Sequence, residues 1–307
     1  MDDRSEALLS LGRVLQRSRY EFVTVTPDTH RRVHARAERL DGSRARTLRD
    51  VFGWNRSFER SLVADDVFSL LERANVVEAA GPLWRSRVRF STLGGKLFVH
   101  SGFPTVDTDA VFFGPDTYRF CALLERWAPT AQRAIDVGCG SGAGGLVVSA
   151  RASEVVLADI NSRALAFAEV NAALASQEVT CVHSDVLEGV EGTFDLIIAN
   201  PPYMRDAAAR TYRDGGGAFG EALSVRIVRE ALSRLAKGGT LIVYTGAAIT
   251  DGVDQFYAAV RPHLDREDLS VIYEELDPDV FGDELEQAQY AQVERIAAVG
   301  LKVRVPV

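Results

Sequence analysis

The sequence predicts an α/β protein whose larger part is a parallel sheet with helices on both faces, preceded by a smaller α+β domain. Three observations carry that expectation. From Phe112 onward, short apolar runs alternate with amphipathic ones, the rhythm of strand and helix in succession. Before that point, two strand-like runs flank Gly94-Gly95, a dipeptide suited to a hairpin turn. The charge divides as well: residues 1–100 hold 18 Arg and Lys against 13 Asp and Glu, whereas residues 101–307 hold 17 against 30. The expected division is residues 1–103 and residues 104–307.

The elements follow in order. Ser5–Gln16 has helical apolar spacing, and a second helical stretch is expected after Ser43. Asp65-Asp66 open a helix favourably at its positive end, and Val67, Leu70, Leu71 and Ala74 line one face of it. Strands are expected at Trp84–Ser91 and Lys96–His100. Two helices and a hairpin make a winged-helix-like module. Asp65, Asp66 and Glu72 on its candidate reading helix would repel phosphate, so a substrate-selecting or packing role, as a lid, is expected over DNA reading. The alternation that follows gives strands at Arg133–Val137, Glu154–Asp159, Val179–His183, Phe194–Ala199 and Thr240–Thr245. Helices are expected at Gly144–Arg151, Ser162–Ala175 and Ala222–Ala236. Two strands, Leu269–Glu274 and Leu301–Val305, flank a helix-like Glu284–Ala298.

Composition narrows the class. At 47% hydrophobic and 25% charged, the chain has enough apolar residues for a globular core, which excludes a largely disordered protein. No apolar run approaches the length of a membrane span. The acidic N-terminus lacks a signal-type apolar core, which predicts a cytoplasmic protein. Cys121, Cys139 and Cys181 are odd in number and widely spaced, so neither a disulfide framework nor a zinc motif is expected. His30 and His34 lack the Glu of an HExxH motif and are expected at the surface; no metal is expected.

The first strand of the alternation runs into Asp136-Val137-Gly138-Cys139-Gly140-Ser141-Gly142-Ala143. Glycines there let the backbone turn and approach a ligand closely, but the loop also satisfies a dinucleotide pattern. Three acids decide between the two. Asp136 would repel a pyrophosphate and suits an ammonium group. Asp159 ends the second strand, where an acid can hold both ribose hydroxyls. Asp185 follows the third and can accept a bond from an adenine amine. Together these features resemble the class I S-adenosylmethionine-dependent methyltransferases, which implies S-adenosylmethionine as cofactor. The expected cofactor set is Asp136, Gly138, Cys139, Gly140, Gly142, Asp159, Ile160, Asp185, Val186 and Asn200, with Phe113 and Thr117 from the preceding segment. Cys139 is expected as a small filler of the turn, not a nucleophile.

The fourth strand ends in Asn200-Pro201-Pro202-Tyr203. Two prolines stop the strand and remove two N–H donors. The Asn200 side-chain oxygen and the Pro201 carbonyl can therefore accept both hydrogens of one NH2 group, leaving its lone pair to face the methyl. Tyr203 offers a flat face for a planar group. Asn200, Pro201, Pro202 and Tyr203 are the expected catalytic residues.

This NPPY motif resembles that of amino methyltransferases acting on planar nitrogens. Val111–Tyr118 is similar to the segment that closes over the cofactor in HemK-type enzymes, and Asp214–Gly220 to the glycine-rich run of the same family. The resemblance covers residues 110–250. It implies a Rossmann-like seven-stranded methyltransferase sheet with the last strand antiparallel, and N-methylation of a protein glutamine. A base amine of RNA or DNA, and a small amine or guanidine metabolite, are the alternative acceptors. Residues 265–294 are strongly acidic and have no counterpart in the family pattern; they read as a solvated surface suited to attracting a cationic substrate.

Overall fold

The computed structural model describes residues 1–41, 44–206 and 210–307. The N-terminal part contains α1 (Asp3–Arg17), α2 (Pro27–Asp41), α3 (Leu48–Phe52) and α4 (Asp65–Arg73). Two hairpins follow, β1 (Val77–Ala80) with β2 (Leu83–Ser86) and β3 (Val88–Leu93) with β4 (Lys96–Ser101). The strand expected at Trp84–Ser91 is therefore two strands. Ser86 makes the break: its hydroxyl donates to Val88 O at 2.7 Å and accepts from Val88 N, so the chain turns from one partner to the next. The Gly94-Gly95 turn is as expected, with both residues at positive φ. The helical stretch expected after Ser43 is α3; Ser43 itself lies outside the described residues.

α2 carries few aliphatic residues, and hydrophobic periodicity misses it. Its packed face is built from imidazoles instead. His30 is 1% exposed, stacked on His34 at 4.4 Å and tilted against Phe103 at 4.1 Å. The expected surface position of His30 is thus corrected. Burial lowers its pKa to about 3, which keeps it neutral.

The larger part begins with α5 (Pro115–Trp127). It continues through β5 (Ala131–Val137), α6 (Ala143–Val148), β6 (Ala152–Asp159), α7 (Ser162–Leu174), β7 (Thr180–His183) and β8 (Phe194–Ala199). Then come α8 (Ala222–Leu232), β9 (Leu235–Thr250), β10 (Val253–Asp254), α9 (Gln255–Leu264), β11 (Ser270–Asp277) and β12 (Arg295–Arg304). The main path of the sheet runs β11-β12-β9-β8-β5-β6-β7, with the two-residue β10 folded back on β9 as an eighth strand. β7, β6, β5, β8 and β9 are parallel; β12 is antiparallel to both its neighbours. The expected seven strands with an antiparallel last strand are present. β5 and β8 are covered on both faces, which is why they read as near-continuous apolar runs: Leu196, Ile197, Ile198 and Ala199 are all fully buried.

The helix expected at Glu284–Ala298 is not formed. Gly282–Glu286 and Ala288–Tyr290 are short 3-10 turns, and Arg295 already begins β12. From Ile296 to Leu301 each residue is buried between β9 and β11, and a central strand needs apolar residues on both faces.

The N-terminal part is not loosely appended. One core joins Leu8, Leu11, Leu15 and Val99 to Ala164, Phe167, Val170 and Leu174 of α7. Asn171 seals the seam. Its carboxamide accepts from Val99 N–H at 2.7 Å and donates to Val99 O and Ser141 O. Among the described residues no helix is long and apolar enough to cross a membrane.

Candidate active site

β5 has β6 on one side and β8 on the other, and the chain leaves it in both directions across the sheet. A crevice opens at such a switch point, beyond the carboxyl ends of the strands. Here it is a single cavity lined by Asp136 to Gly140, Asp159, Ile160, Asp185, Val186 and Asn200 to Tyr203, together with Thr117. Four strand ends thus deliver residues far apart in sequence to one place.

The glycine loop is shaped around Asp136. Its Oδ2 accepts the Gly145 N–H at 2.7 Å, at the start of α6. A Cβ at Gly144 would stand 2.9 Å from that oxygen and 2.5 Å from the Phe120 ring, so only glycine fits. Burial pushes the Asp136 carboxyl up to about 7. Such a buried acid is costly to ionise alone and gains from a cationic ligand. Asp159 accepts from Gly140 N–H and Asn161 N–H, each at 2.8 Å, which ties the loop to the end of β6. Burial raises its pKa as well, and those N–H bonds oppose the shift. Ile160 beside it is 49% exposed, an apolar face in the cavity wall where a planar base can lie. Asp185 accepts from Arg226 of α8 at 2.8 Å, and the same guanidinium holds Glu188 and Glu230. Burial raises the Cys139 thiol well above its ordinary range, which suits a filler and not a nucleophile.

At the other end of the cavity, Asn200 is half-buried, and among the described residues its carboxamide has no hydrogen-bond partner. Pro201 and Pro202 follow without N–H groups. Tyr203 is only 8% exposed, so most of the face expected to be open is covered. Its ring sits on Gly246 of β9, where a Cβ would fall 2.2 Å from the ring. Its hydroxyl is buried and unpaired beside Asp116. Asp116, on α5, accepts from Tyr244 Oη at 2.7 Å and from Arg119 at 3.2 Å. The glycine-rich run serves the same motif. Gly220 has φ +92°, and a Cβ there would meet the Tyr203 carbonyl oxygen at 2.1 Å.

Residues 120–250 match the family model described as Methyltransferase small domain. Over 153 residues the chain is 34% identical to a release factor glutamine methyltransferase of Deinococcus radiodurans, covering 45% of this chain and 55% of that one. Over 119 residues it is 33% identical to a ribosomal RNA small subunit methyltransferase C of Chromohalobacter salexigens, covering 39% and 33%. The chain thus spans about half the length, or less, of these curated relatives. Among solved structures, wild-type Trm5b from Pyrococcus abyssi superposes with a TM-score of 0.51 at 17% identity, over 75% of this chain and 62% of that one; this supports the fold. Residues 120–250 are thus similar to the methyltransferase small domain.

The methyltransferase small domain uses S-adenosylmethionine, and the donor set fits it. Asp136 would answer its ammonium group, Asp159 its ribose, and Ile160 with Asp185 its adenine, all four lining the one cavity. Two members of the expected set stand elsewhere. Phe113 is 2% exposed and packs on Phe98, His100 and Tyr118. In an extended segment neighbouring side chains point to opposite sides, so Phe112, not Phe113, lines the cavity. Gly142 caps α6 at φ +78° and faces Ala168 and Leu157, outside the lining.

Sequence reasoning missed Asp116, Phe112, Tyr212, Arg213 and Phe281, all in the cavity wall. Asp116 stood in a segment already singled out. Phe112 stood there too, where the neighbouring Phe113 was chosen instead; Tyr212, Arg213 and Phe281 carry no local signal. Nor is the acidic segment simply solvated: Glu284 pairs with Arg213 at 2.5 Å, Asp277 with Arg119 and Asp283 with Arg31, and Tyr290 is buried.

Proposed function

We propose that this protein is an S-adenosylmethionine-dependent N-methyltransferase whose acceptor is a planar nitrogen on a protein side chain, the glutamine amide first. The observation that carries this reading is the unpartnered Asn200 carboxamide, at the head of Pro201-Pro202-Tyr203, in the same cavity as Asp136 and Asp159.

Bound S-adenosylmethionine supplies a methyl group already activated by its sulfonium. The chain's own work is to bind, orient and exclude water, and orientation of this kind is worth up to about 7–11 kcal/mol. A planar amide nitrogen is a poor nucleophile because its lone pair is delocalised. Asn200 Oδ1 and the Pro201 carbonyl accept its two N–H bonds, draw electron density back to nitrogen and favour its pyramidal form. Asp136 and Asp159 hold the other partner, and the Tyr203 ring, fixed on Gly246, closes the floor. The N-terminal domain, residues 1–103, contributes a fixed wall through its shared core with α7 and selects the acceptor.

Charge at the mouth favours protein over nucleic acid. Arg213, the arginine of the cavity lining, pairs with Glu284 at 2.5 Å, and elsewhere Arg31, Arg163 and Arg210 pair with Asp283, Asp107 and Asp206. Steering toward phosphate uses positive charge that is not neutralised in this way.

The test supplies methyl-labelled S-adenosylmethionine and a cell extract to the purified protein, then separates protein, nucleic acid and small molecules. Label in protein, lost with Asn200→Ala, is the expected result. Label in nucleic acid or small molecules refutes the protein acceptor.

A further inference from the structure

The acceptor end of the cavity is closed by three segments, of which two lie outside the methyltransferase small domain. Residues 105–112 bring Phe112, residues 203–206 and 210–213 bring Tyr203 and Tyr212, and the acidic segment between β11 and β12 brings Phe281. The Phe112 and Tyr212 rings stack nearly parallel, 8° apart with centroids at 6.0 Å; Phe281 meets Tyr203 at 6.0 Å.

Phe281 is the unusual member. Its backbone is left-handed, with φ 59° and ψ 38°. A bulky side chain rarely adopts that conformation, and strain of this kind persists where the surroundings over-determine it. Here they do. Just before it, Val280 N–H donates to Ile296 O at 2.7 Å. Just after it, Glu284 N–H donates to Phe281 O at 2.9 Å, and the Glu284 carboxylate pairs with Arg213. Further on, Tyr290 Oη accepts the Arg205 N–H at 2.7 Å, two residues past Tyr203. Asp283 reaches Arg31 on α2 at 3.5 Å. The segment is therefore bolted to the loop that follows the NPPY motif and tied to the N-terminal domain. Its one large apolar side chain in the cavity wall is Phe281.

We propose that Phe281 is a specificity-determining residue, the outer wall that sizes the acceptor subsite for the slender, uncharged end of a protein side chain. The inference rests on the methyl-transfer reading and adds the residue that selects the acceptor. Aromatic walls exclude water from a neutral planar amide and stack on it. They offer nothing to a phosphate, which would be stripped of water without a partner.

The test compares wild type, Phe281→Ala and Phe281→Leu in two measurements. The first is calorimetric binding of S-adenosylmethionine, which reports folding and the cofactor end alone. The second is transfer of labelled methyl to graded amounts of the extract protein fraction and, separately, the RNA fraction. The expected result is cofactor affinity within twofold for all three. With Phe281→Ala, labelling of limiting protein acceptor falls at least tenfold and recovers as acceptor is raised; Phe281→Leu lies between. Gain of RNA labelling in Phe281→Ala supports the sizing role further. Wild type and Phe281→Ala that label the same acceptors with the same concentration dependence overturn the wall and leave the methyl-transfer reading intact. Preferred labelling of RNA by wild type also overturns it. Wild type that binds no S-adenosylmethionine overturns both.

Discussion

The two ends of the cavity are built differently. At the cofactor end, each group is delivered by a strand end and the few residues beside it: Asp136 with the glycine loop, Asp159 with Ile160, Asp185 with Val186. Several of their partners are local, as when Asp136 accepts from Gly145 and Asp159 from Asn161, and the longest reach is Arg226 to Asp185. At the acceptor end, the walls come from residues 105–112, 203–206, 210–213 and 281–290, and their ties span the chain. Tyr212 Oη donates to Thr105 O at 2.7 Å, and Arg213 reaches Glu284. The lesson is that a shared cofactor can be held by short motifs, whereas the acceptor site is an assembly of segments that only the fold brings together.

The sharpest way to separate the two ends is Asn200→Ala. On the proposed reading it removes an acceptor of the substrate N–H bonds, and it touches no hydrogen bond of Asp136, Asp159 or Asp185. Transfer should fall about 100- to 1,000-fold, the cost of losing one preorganised polar group, while S-adenosylmethionine affinity stays within a few-fold. Single-turnover transfer and calorimetric binding check the two halves; equal losses in both would break the division.

Asp136→Asn is the converse. Loss of a charge-assisted bond should weaken S-adenosylmethionine binding by roughly 10- to 100-fold, read by calorimetry, with a saturated enzyme recovering most of its rate.

The Asp136 carboxyl also predicts a pH effect confined to the cofactor end. With its pKa pushed to about 7 by burial, the free protein carries it partly protonated below neutrality. A cationic ligand binds the ionised form. Affinity should therefore be flat above pH 7 and fall by up to about tenfold per unit below it. Binding near pH 6.5 should release a proton, visible in buffers of different ionisation enthalpy, and Asp136→Asn should abolish both effects. The linkage also has a sign for stability. An acid whose folded pKa exceeds its unfolded value binds more protons when folded, so its contribution to stability is lost as pH rises from about 4 to 7.

Arg226→Ala should have the smallest effect. The guanidinium braces Asp185 from α8 but is partly solvated, so S-adenosylmethionine affinity should fall only about two- to fivefold. The loss should shrink as salt is raised. A tenfold or greater loss would make Arg226 part of the binding site.

The sequence by itself determined the parallel sheet, the order of its strands along the chain, the glycine loop with Asp136, and the NPPY turn. Each is a local matter: apolar runs of strand length, glycines where no Cβ fits, prolines that end a strand. Gly144 and Gly220 show how literal that is, since each is the residue that a neighbouring oxygen leaves room for. The tertiary structure decided the rest. It buried His30 in an aromatic stack that hydrophobic periodicity cannot register. It began the last strand at Arg295, ahead of the expected Leu301 and inside a stretch expected as helix, because that segment lies between two others. It turned Phe112 to the cavity and Phe113 away from it, and it set Phe281 against Tyr203 across 78 residues of chain. None of these choices is stated by neighbours in sequence. They follow from which surfaces must be covered once the sheet has formed, and covering is a property of the whole fold.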